Sequence, residues 1–447
     1  MSASGLVIAA HKSGAGKTTV TLALLSALKR RRLAVHAAKA GPDYIDPAFH
    51  ARATGHGSIN LDSWAMPPGM LDTLMRDTES PADIVVVEGV MGLFDGIAGA
   101  PGRSGATADL AARFGLPVVL VIDVTSQAQS AAALLRGFAT HDPAVQIAGV
   151  ILNRVASARH ARLVSRAIEV LNIPILGMLP RDTTVTLPER HLGLVQAGEH
   201  GDLDDRLGAL ADLAEAHLDL DAILALARPP LLLGDPVSGR LPPPGLRIAV
   251  AHDAAFTFLY PHLVRGWRDQ GATLVPFSPL ADEGPDPECD SCWLPGGYPE
   301  LHAGRIAAAD TFKNKLAAFA DTRPVHGECG GYMVLGQGLV DADGVRHAMT
   351  GLLGHATSFA DRKLHLGYRA AQLLEPCVLG DRDAHVRGHE FHYATTTKAN
   401  GQPLFQASDA EGTVLPAMGL LRENVCGSFG HIIDKASTGL ASFGPQA

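Results

Sequence analysis

The sequence predicts an α/β protein of two domains, each built on a largely parallel β-sheet. Short apolar runs alternate with longer mixed segments, which is the pattern of parallel strands joined by helices. A proline-rich stretch separates two such series. The chain has 447 residues, which is longer than a single core usually holds. We therefore expect a first domain at 1–225, a linker at 226–245 and a second domain at 246–437.

The first series predicts a doubly wound layer structure, with helices on both faces of the sheet. The segment from Thr19 to Arg32 carries leucines at helical spacing and ends in a basic cluster, which suits a helix C-terminus. The apolar runs that we expect to be strands are 6–10, 33–38, 83–90, 117–124, 147–152 and 173–179.

The linker and the second series follow. Residues 226–245 contain six prolines, so they cannot continue a helix or a central strand. The second α/β series has expected strands at 247–251, 272–276, 291–295 and 324–326, followed by shorter strand-like pieces towards Cys426.

The composition excludes several classes of function. The chain is 47% hydrophobic and 19% charged, as in folded globular proteins. Its formal charge of -9 argues against a protein that coats nucleic acid or an anionic membrane. No apolar stretch reaches about 18 residues and no export signal is evident, so we expect a cytoplasmic protein. Five cysteines, an odd number, do not indicate a disulfide framework.

A phosphate-binding loop follows the first strand. The glycines allow backbone N–H groups to point inward, and the helix N-terminus adds partial positive charge. In this pattern Lys17 reaches the terminal phosphates and the Thr18 hydroxyl ligates magnesium. The loop reads His11-Lys12-Ser13-Gly14-Ala15-Gly16-Lys17-Thr18-Thr19. It predicts an ATP site.

The loop departs from the strict pattern, which has a glycine where His11 stands. Because Lys12 precedes the glycines, the loop resembles the variant found in dethiobiotin synthetase and related ATPases. In that family the corresponding lysine also contacts phosphate. The expected nucleotide-binding residues are Lys12, Gly14, Gly16, Lys17, Thr18 and Thr19.

Acidic residues follow two other strands of the same sheet. Asp43 and Asp46 come after the second strand, and Glu88 ends the third. Since ligands bind at the carboxyl ends of parallel strands, we expect all three near the loop. We assign Asp43 and Glu88, with Thr18, to magnesium, and Asp46 to the acceptor substrate. Each of these acids could instead cap a helix or a turn, and the same alternative applies to Asp95. Asn153 is a candidate for contacting adenine or, alternatively, for a capping role.

The second domain contains a candidate nucleophile. An apolar strand leads into a turn with glycines at 327, 330 and 331 around Cys329. Such a strand-to-helix turn exposes a nucleophile, and a helix N-terminus lowers the pKa of a thiol. Backbone N–H groups of Gly297 and Gly330 are expected to contact the substrate oxyanion.

Other polar residues in this half have weaker patterns. His431, far downstream, is the candidate base for Cys329. The stretch 388–393 reads GHEFHY but lacks the spacing of a helical zinc pair, so we expect it to shape the acceptor site or a domain interface. Cys289 and Cys292 have redox spacing but precede a buried strand, which favours packing.

A set of longer motifs runs through both halves of the chain. The motifs are 39–50 (KAGPDYIDPAFH), 60–64 (NLDSW), 88–96 (EGVMGLFDG), 295–300 (PGGYPE), 388–393 (GHEFHY) and the loops around Cys329 and His431. As a set, they resemble the cobyrinate or hydrogenobyrinate a,c-diamide synthases, and the resemblance covers about residues 5–435. It implies a dethiobiotin synthetase-like domain and a class I glutamine amidotransferase-like domain. It also implies ATP- and glutamine-dependent amidation of the a and c acetates of a corrin ring in cobalamin biosynthesis, with Mg²⁺.

One position departs from common class I glutaminases, which carry a glutamate two residues after the histidine. Here that position is Ile433, so an orienting carboxylate is missing or supplied elsewhere. Slow glutamine hydrolysis without acceptor is therefore expected. The alternatives are the same reaction on another tetrapyrrole, such as nickel-sirohydrochlorin, and an ATP-dependent switch protein. A homodimer is compatible with the sequence.

Overall fold

The computed structural model describes residues 3–79, 81–181, 189–190, 193–194, 196–199, 201–234 and 241–436. The chain forms two compact units, Met1–Val237 and Ser238–Ala447. The expected linker lies partly outside the described residues, since 235–240 are among those not described.

Unit 1 is built on a seven-stranded parallel sheet in the order β3-β2-β4-β1-β5-β6-β7. Its strands are β1 Ser4–Ala10, β2 Val35–Ala40, β3 Ile59–Leu61, β4 Ile84–Glu88, β5 Val118–Asp123, β6 Ile147–Val155 and β7 Ile175–Pro180, with the short pair β8 Glu189–Arg190 and β9 Gly193–Leu194. Its helices are α1 Lys17–Arg30, α2 Asp46–Thr54, α3 Pro68–Glu79, α4 Thr107–Phe114, α5 Ser130–His141, α6 Ala158–Ile168, α7 Leu203–His217 and α8 Leu220–Leu226.

This sheet confirms the predicted fold class of the first half. Its central strands are apolar and buried on both faces, as β-strands covered by helices must be. Helix α1 begins at Lys17, two residues before the expected start, because Gly16 adopts a left-handed conformation (φ 87°) that ends the loop there. The carboxyl ends of β1, β2, β4 and β6 consequently lie at one edge of the sheet.

Unit 2 has a six-stranded sheet in the order β11-β10-β12-β13-β22-β21 and two four-stranded sheets in the orders β15-β14-β16-β19 and β20-β17-β18-β23. Its strands are β10 Arg247–Ala251, β11 Thr273–Phe277, β12 Ser291–Leu294, β13 Val325–Glu328, β14 Gly338–Val340, β15 Arg346–Ala348, β16 His355–Ser358, β17 His365–Leu373, β18 His385–His392, β19 Thr395–Ala399, β20 Phe405–Ser408, β21 Leu420–Arg422, β22 Val425–Ser428 and β23 Gly430–Lys435. Its helices are α9 Pro261–Asp269, α10 Ala303–Ala308, α11 Asp310–Ala320 and α12 Gly330–Leu335.

The six-stranded sheet of unit 2 is parallel from β11 to β22 and ends in one antiparallel strand, β21. Strand β13 leads directly into α12, so residue 329 lies at the carboxyl edge of this sheet. Antiparallel pairing of β18 with β23 brings residues 389 and 431 opposite each other. Within the described residues, no helix has the length and apolar character needed to cross a membrane.

Candidate active sites

The phosphate loop of unit 1 is held in shape by the end of β6. The Asn153 side-chain N–H donates to the Ala15 carbonyl at 2.8 Å, and its oxygen accepts from the Arg154 N–H at 2.9 Å. A Cβ on Gly16 would lie 2.1 Å from the Asn153 amide nitrogen, so this position requires glycine. The described contacts of Asn153 thus fix the loop, and its contact with adenine stays a prediction.

A buried cluster of charged and polar side chains lies beside the loop. One Glu88 carboxylate oxygen accepts hydrogen bonds from Lys17 (3.1 Å), Thr18 (2.7 Å) and Lys39 (3.0 Å). The other oxygen lies 2.6 Å from Nε2 of His50. Thr18 and Lys39 also donate to Asp46, at 3.3 and 2.5 Å. We call these six residues the Glu88 cluster.

Opposite charges keep two members of the Glu88 cluster, Glu88 and Lys39, in their charged forms. Burial raises the pKa of Glu88, but Lys39, Lys17 and His50 outweigh it and hold that pKa well below its usual range. Burial lowers the pKa of Lys39, yet the neighbouring carboxylates raise it overall. Burial and then Asp43 raise the pKa of Asp46 to about 7. An ammonium and a carboxylate therefore remain charged in a site that excludes water.

Sequence reasoning missed the roles of Lys39 and His50. Lys39 is only 2% exposed and also donates to the Gly89 carbonyl at 3.0 Å. Its signal was a lysine inside an otherwise apolar strand, where an unpaired charge would be very unfavourable. His50 shows no comparable signal, since one histidine on a short helix has many alternative roles.

The remaining predicted residues of this site lie around the Glu88 cluster. One Asp43 oxygen accepts from the backbone N–H groups of Ile45 (2.7 Å) and Asp46 (3.3 Å), so it closes the turn that precedes α2. The other oxygen lies 3.9 Å from the Lys39 ammonium. Lys12 and Gly14 are exposed on the loop, and Thr19 is half-buried in the first turn of α1. Asp95 closes a turn by accepting from the Gly92 N–H at 2.9 Å.

In unit 2, Cys329 lies on a sharp turn between β13 and α12. Its φ of 44° is rare for a residue with a side chain, as expected for a nucleophile elbow. A Cβ on Gly331 would lie 2.0 Å from the Leu294 carbonyl oxygen, and one on Gly330 would lie 3.0 Å from the Gly297 nitrogen. The glycines around Cys329 therefore let the turn approach the 295–297 loop closely.

His431 lies against the same 295–297 loop. A Cβ on Gly296 would lie 2.3 Å from the His431 ring. The Cys329 N–H donates to the Ser428 carbonyl at 2.8 Å, and the Gly331 N–H donates to the Pro295 carbonyl at 3.0 Å. These contacts bring the elbow, the glycine loop and the strand end that carries His431 into one region of unit 2.

Burial dominates the electrostatics of this second site. It raises the pKa of the Cys329 thiol, an effect that Glu300 reinforces and the Gly330 N–H opposes. The expectation of a lowered pKa was therefore wrong, because a six-residue helix cannot offset the loss of water around a thiol that is 3% exposed. Burial, with His389 and His392, lowers the pKa of His431 to about 3. Both groups are uncharged at neutral pH.

The paired strands β17 and β18 place a further cluster of ionisable groups next to this site. His365, Glu390 and His392 offer ligand atoms that all lie within 4.8 Å of one another. The Glu390 carboxylate lies 2.8 Å from His392 and accepts from the Arg369 guanidinium at 2.7 Å. From the sequence, residues 388–393 were compared only with the spacing of a zinc pair on a helix. That comparison missed this cluster, because Glu390 and His392 are alternate residues of a strand and share one face.

The other cysteines of unit 2 are free thiols. Cys289 and Cys292 are buried, and burial raises the pKa of each, which agrees with a packing role. Cys377 is half-buried, and a hydrogen bond with Cys426 lowers its pKa.

Comparisons with known proteins agree with this two-site architecture. Residues 6–195 match the CobQ/CobB/MinD/ParA nucleotide binding domain, and residues 247–438 match the CobB/CobQ-like glutamine amidotransferase domain. A hydrogenobyrinate a,c-diamide synthase of Mesorhizobium japonicum is 57% identical over 98% of this chain and 100% of its own. Proteins of the same description from Agrobacterium fabrum and Rhodobacter capsulatus are 53% and 55% identical over 97% and 96% of this chain, and 100% and 98% of their own.

Proposed function

The chain belongs to the hydrogenobyrinate a,c-diamide synthase family, and on that basis we propose that it converts the a and c acetate carboxylates of a corrin-ring acid to amides. It is a carbon–nitrogen ligase that uses ATP and takes nitrogen from glutamine, in cobalamin biosynthesis. We take hydrogenobyrinate as the acceptor, because the descriptions of the relatives name it. The single observation that carries the proposal is that one chain has both a phosphate loop beside paired carboxylates and a cysteine elbow that packs against the same 295–297 loop as a histidine.

The first unit activates the acceptor. A carboxylate of the acceptor attacks the γ-phosphorus of ATP, ADP leaves, and an acyl phosphate forms. Ammonia then attacks the acyl carbon, and phosphate leaves with the amide formed. Phosphoryl transfer needs mainly positioning and neutralised charge. Lys12 and Lys17 provide positive charge at the phosphates, and the loop glycines 14 and 16 with Thr19 shape the cradle. Asp46 faces the acceptor, and Asn153 contacts adenine or keeps the loop in place.

Magnesium fits the oxygen atoms that converge beside the loop. The Thr18 hydroxyl, the Glu88 carboxylate and the second oxygen of Asp43, which lies 3.9 Å from Lys39, are hard ligands of the kind that this ion prefers. A bound ion would neutralise charge on the phosphates. Lys17, which donates to Glu88 at 3.1 Å, would supply positive charge at the terminal phosphates.

The second unit releases ammonia from glutamine. Cys329 attacks the carboxamide carbon while His431 takes the thiol proton and passes it to the departing ammonia. Water then hydrolyses the resulting thioester. Backbone N–H groups of Gly297 and Gly330 stabilise the oxyanion. This division assigns the synthetase to 1–225 and the glutaminase to 246–437, joined by 226–245, in a cytoplasmic enzyme. Light scattering tests whether it is a homodimer.

The proposal is tested by assaying the purified chain with ATP and Mg²⁺, with either glutamine or ammonium as nitrogen source. The acceptor panel contains hydrogenobyrinate, cobyrinate and nickel-sirohydrochlorin. We expect a diamide from hydrogenobyrinate. Product from the nickel compound alone would contradict the corrin acceptor, and ATP turnover without any amide would contradict the ligase and favour a switch protein.

Two variants test the division of labour. Cys329→Ala should abolish glutamine-dependent synthesis and preserve synthesis from ammonium, because the thiol acts only on glutamine. Lys17→Ala should stop both, because it acts on ATP. Loss of both nitrogen sources in Cys329→Ala, in a protein that folds normally, would contradict this division.

A further inference from the structure

Glu328 directly precedes the candidate nucleophile and places its carboxyl group beside the candidate base. The side chain is 1% exposed, and Oε2 lies 3.8 Å from Nδ1 of His431. The other oxygen, Oε1, accepts a hydrogen bond from the Ile432 N–H at 2.9 Å. The carboxyl group is therefore tied to the strand that carries the base.

This carboxyl group is a candidate for the carboxylate that orients the histidine, which sequence reasoning did not locate. Two residues after the histidine, Ile433 is fully buried and offers no charge. Strand β13 supplies a carboxyl group from the neighbouring element instead. The separation of 3.8 Å is too long for a direct hydrogen bond, so the charge of Glu328 can act on His431 only electrostatically, and mainly when the ring takes up a proton.

Several other ionisable groups face this pair. His326, on the same side of β13, has Nε2 3.8 Å from Oε1 of Glu328. From β18, His389 and His392 lower the pKa of His431, and Glu390 raises it. Burial raises the pKa of Glu328, while His326 and the Ile432 N–H oppose that shift. Among these groups, Glu328 has the carboxyl oxygen that lies 3.8 Å from Nδ1 of His431.

We propose that Glu328 is the positioning residue for His431 during glutamine hydrolysis. A carboxylate at Nδ1 favours the tautomer with its hydrogen on that nitrogen, which leaves Nε2 to take the proton from the Cys329 sulfur. It also stabilises the positive charge that the ring then carries. The inference rests on the proposed function, in which Cys329 and His431 release ammonia from glutamine.

Glu328→Gln tests this role with little change in volume, because the amide oxygen can still accept from the Ile432 N–H. We expect kcat for glutamine hydrolysis to fall by about 100-fold or more. KM for glutamine should stay within about twofold, because the removed charge acts on proton transfer rather than on ground-state binding. Amidation from ammonium should be unchanged, because unit 1 carries that reaction, and urea unfolding shows whether unit 2 of the variant is folded.

The pH profile separates positioning from a structural role. Without the negative charge, the pKa of the His431 imidazolium falls, so the acid limb of kcat/KM for glutamine moves to lower pH. Glu328→Asp, which keeps the charge at a greater distance, should retain more activity and move the limb less than Glu328→Gln does. If Glu328→Gln fails to fold, Glu328→Asp carries the test, with an expected loss of about tenfold in kcat because the shorter side chain withdraws the charge.

Asp434→Asn is the matched control. Asp434 is fully buried on the same strand, and its Oδ1 accepts from the Leu241 N–H at 3.1 Å. This variant should leave the glutamine kcat and the acid limb unchanged.

Three results would overturn the role of Glu328: wild-type kcat in Glu328→Gln or in Glu328→Asp, an unmoved acid limb in a folded Glu328→Gln, or equal losses with ammonium and glutamine. Absence of glutamine hydrolysis in the wild-type enzyme would instead overturn the proposed function.

Discussion

The two candidate sites respond to burial in opposite ways. In unit 1, Glu88 and Lys39 are fully enclosed yet charged, because each has opposite charges within hydrogen-bonding distance. In unit 2, Cys329 and His431 are equally enclosed, and burial favours the neutral form of both. Removing water thus preserves charge only where a permanent counter-charge is already in place.

This difference suits two kinds of chemistry. A site for triphosphate needs fixed charges before its ligand arrives, since reorganising them during the reaction would raise the barrier. A glutaminase that remains neutral at rest releases little ammonia until its surroundings change. The neutral resting state is consistent with the slow glutamine hydrolysis expected without acceptor.

The largest expected effect comes from removing one partner of the paired charges. Lys39→Met leaves Asp46 and Glu88 without their main cation, so we expect unit 1 to lose about 3–5 kcal/mol of unfolding free energy. Urea unfolding measures this loss. Arg52→Met is the control, because Arg52 pairs with Asp204 on the surface and should cost at most about 1 kcal/mol. A similar small loss for Lys39→Met would remove the contrast between the two sites.

The next largest effect should come from a change of shape, without a change of charge, at the site of Cys329 and His431. In Gly296→Ala the new methyl group would lie 2.3 Å from the His431 ring, which must then move. Displacement of a base by about 1 Å can reduce turnover by roughly 100-fold. Steady-state assays should show that loss with glutamine and full activity with ammonium. Gly304→Ala, at an exposed position of α10 where the new methyl group meets only ordinary van der Waals contacts, serves as the control. Normal glutamine turnover in Gly296→Ala would exclude His431 as the base.

His431 in unit 2 and Asp46 in unit 1 should contribute to the pH dependence of stability with opposite signs. The pKa of His431 is about 3 in the folded state and 6.5 in a model peptide, so only the unfolded chain gains this proton as pH falls from 6.5. Unit 2 should therefore lose stability on acidification, by up to about 1.4 kcal/mol per pH unit from this group. Folded Asp46, with a pKa of about 7, takes up its proton first, so acidification from pH 7 to 4 stabilises unit 1 through this group.

Unfolding curves at several pH values measure both slopes. His431→Gln should flatten the slope of unit 2, and Asp46→Asn should remove the stabilising contribution in unit 1. Unchanged slopes in both variants would contradict the assigned pKa shifts.

The smallest expected effect concerns thiol reactivity. Cys377 is half-buried with a lowered pKa, and Cys329 is buried with a raised one. Since the thiolate is the reactive form, iodoacetamide at neutral pH should modify Cys377 at least about tenfold faster. Mass spectrometry of digested peptides gives both rates, and Cys377→Ser confirms the assignment. Faster labelling of Cys329 would show that its thiol is ionised at rest, against the comparison drawn above.

The sequence predicted the sheets better than the details of the sites. Apolar runs such as 117–124 became central strands because full burial on both faces leaves little choice of structure. The rule that strand ends converge also placed Asp46 and Glu88 beside the loop. The three-residue edge strand β3 was missed, since so short a segment has no recognisable period.

What the sequence could not provide was solvent exposure and distance between separate strands. The pKa of Cys329 was predicted in the wrong direction because a motif shows a helix N-terminus but not the apolar surroundings of the sulfur. Glu328 was overlooked because its relation to His431 depends on the three-dimensional approach of β13 and β23. Both depend on long-range packing, which local patterns do not encode.

The Glu88 carboxylate meets four side chains at once, those of Lys17, Thr18, Lys39 and His50. Substitutions at these positions should not act independently, because each one changes how the other three share the same two oxygens. Strong epistasis among them follows, and double-mutant cycles should give coupling energies well above those of surface pairs. In laboratory evolution these positions would change together or not at all.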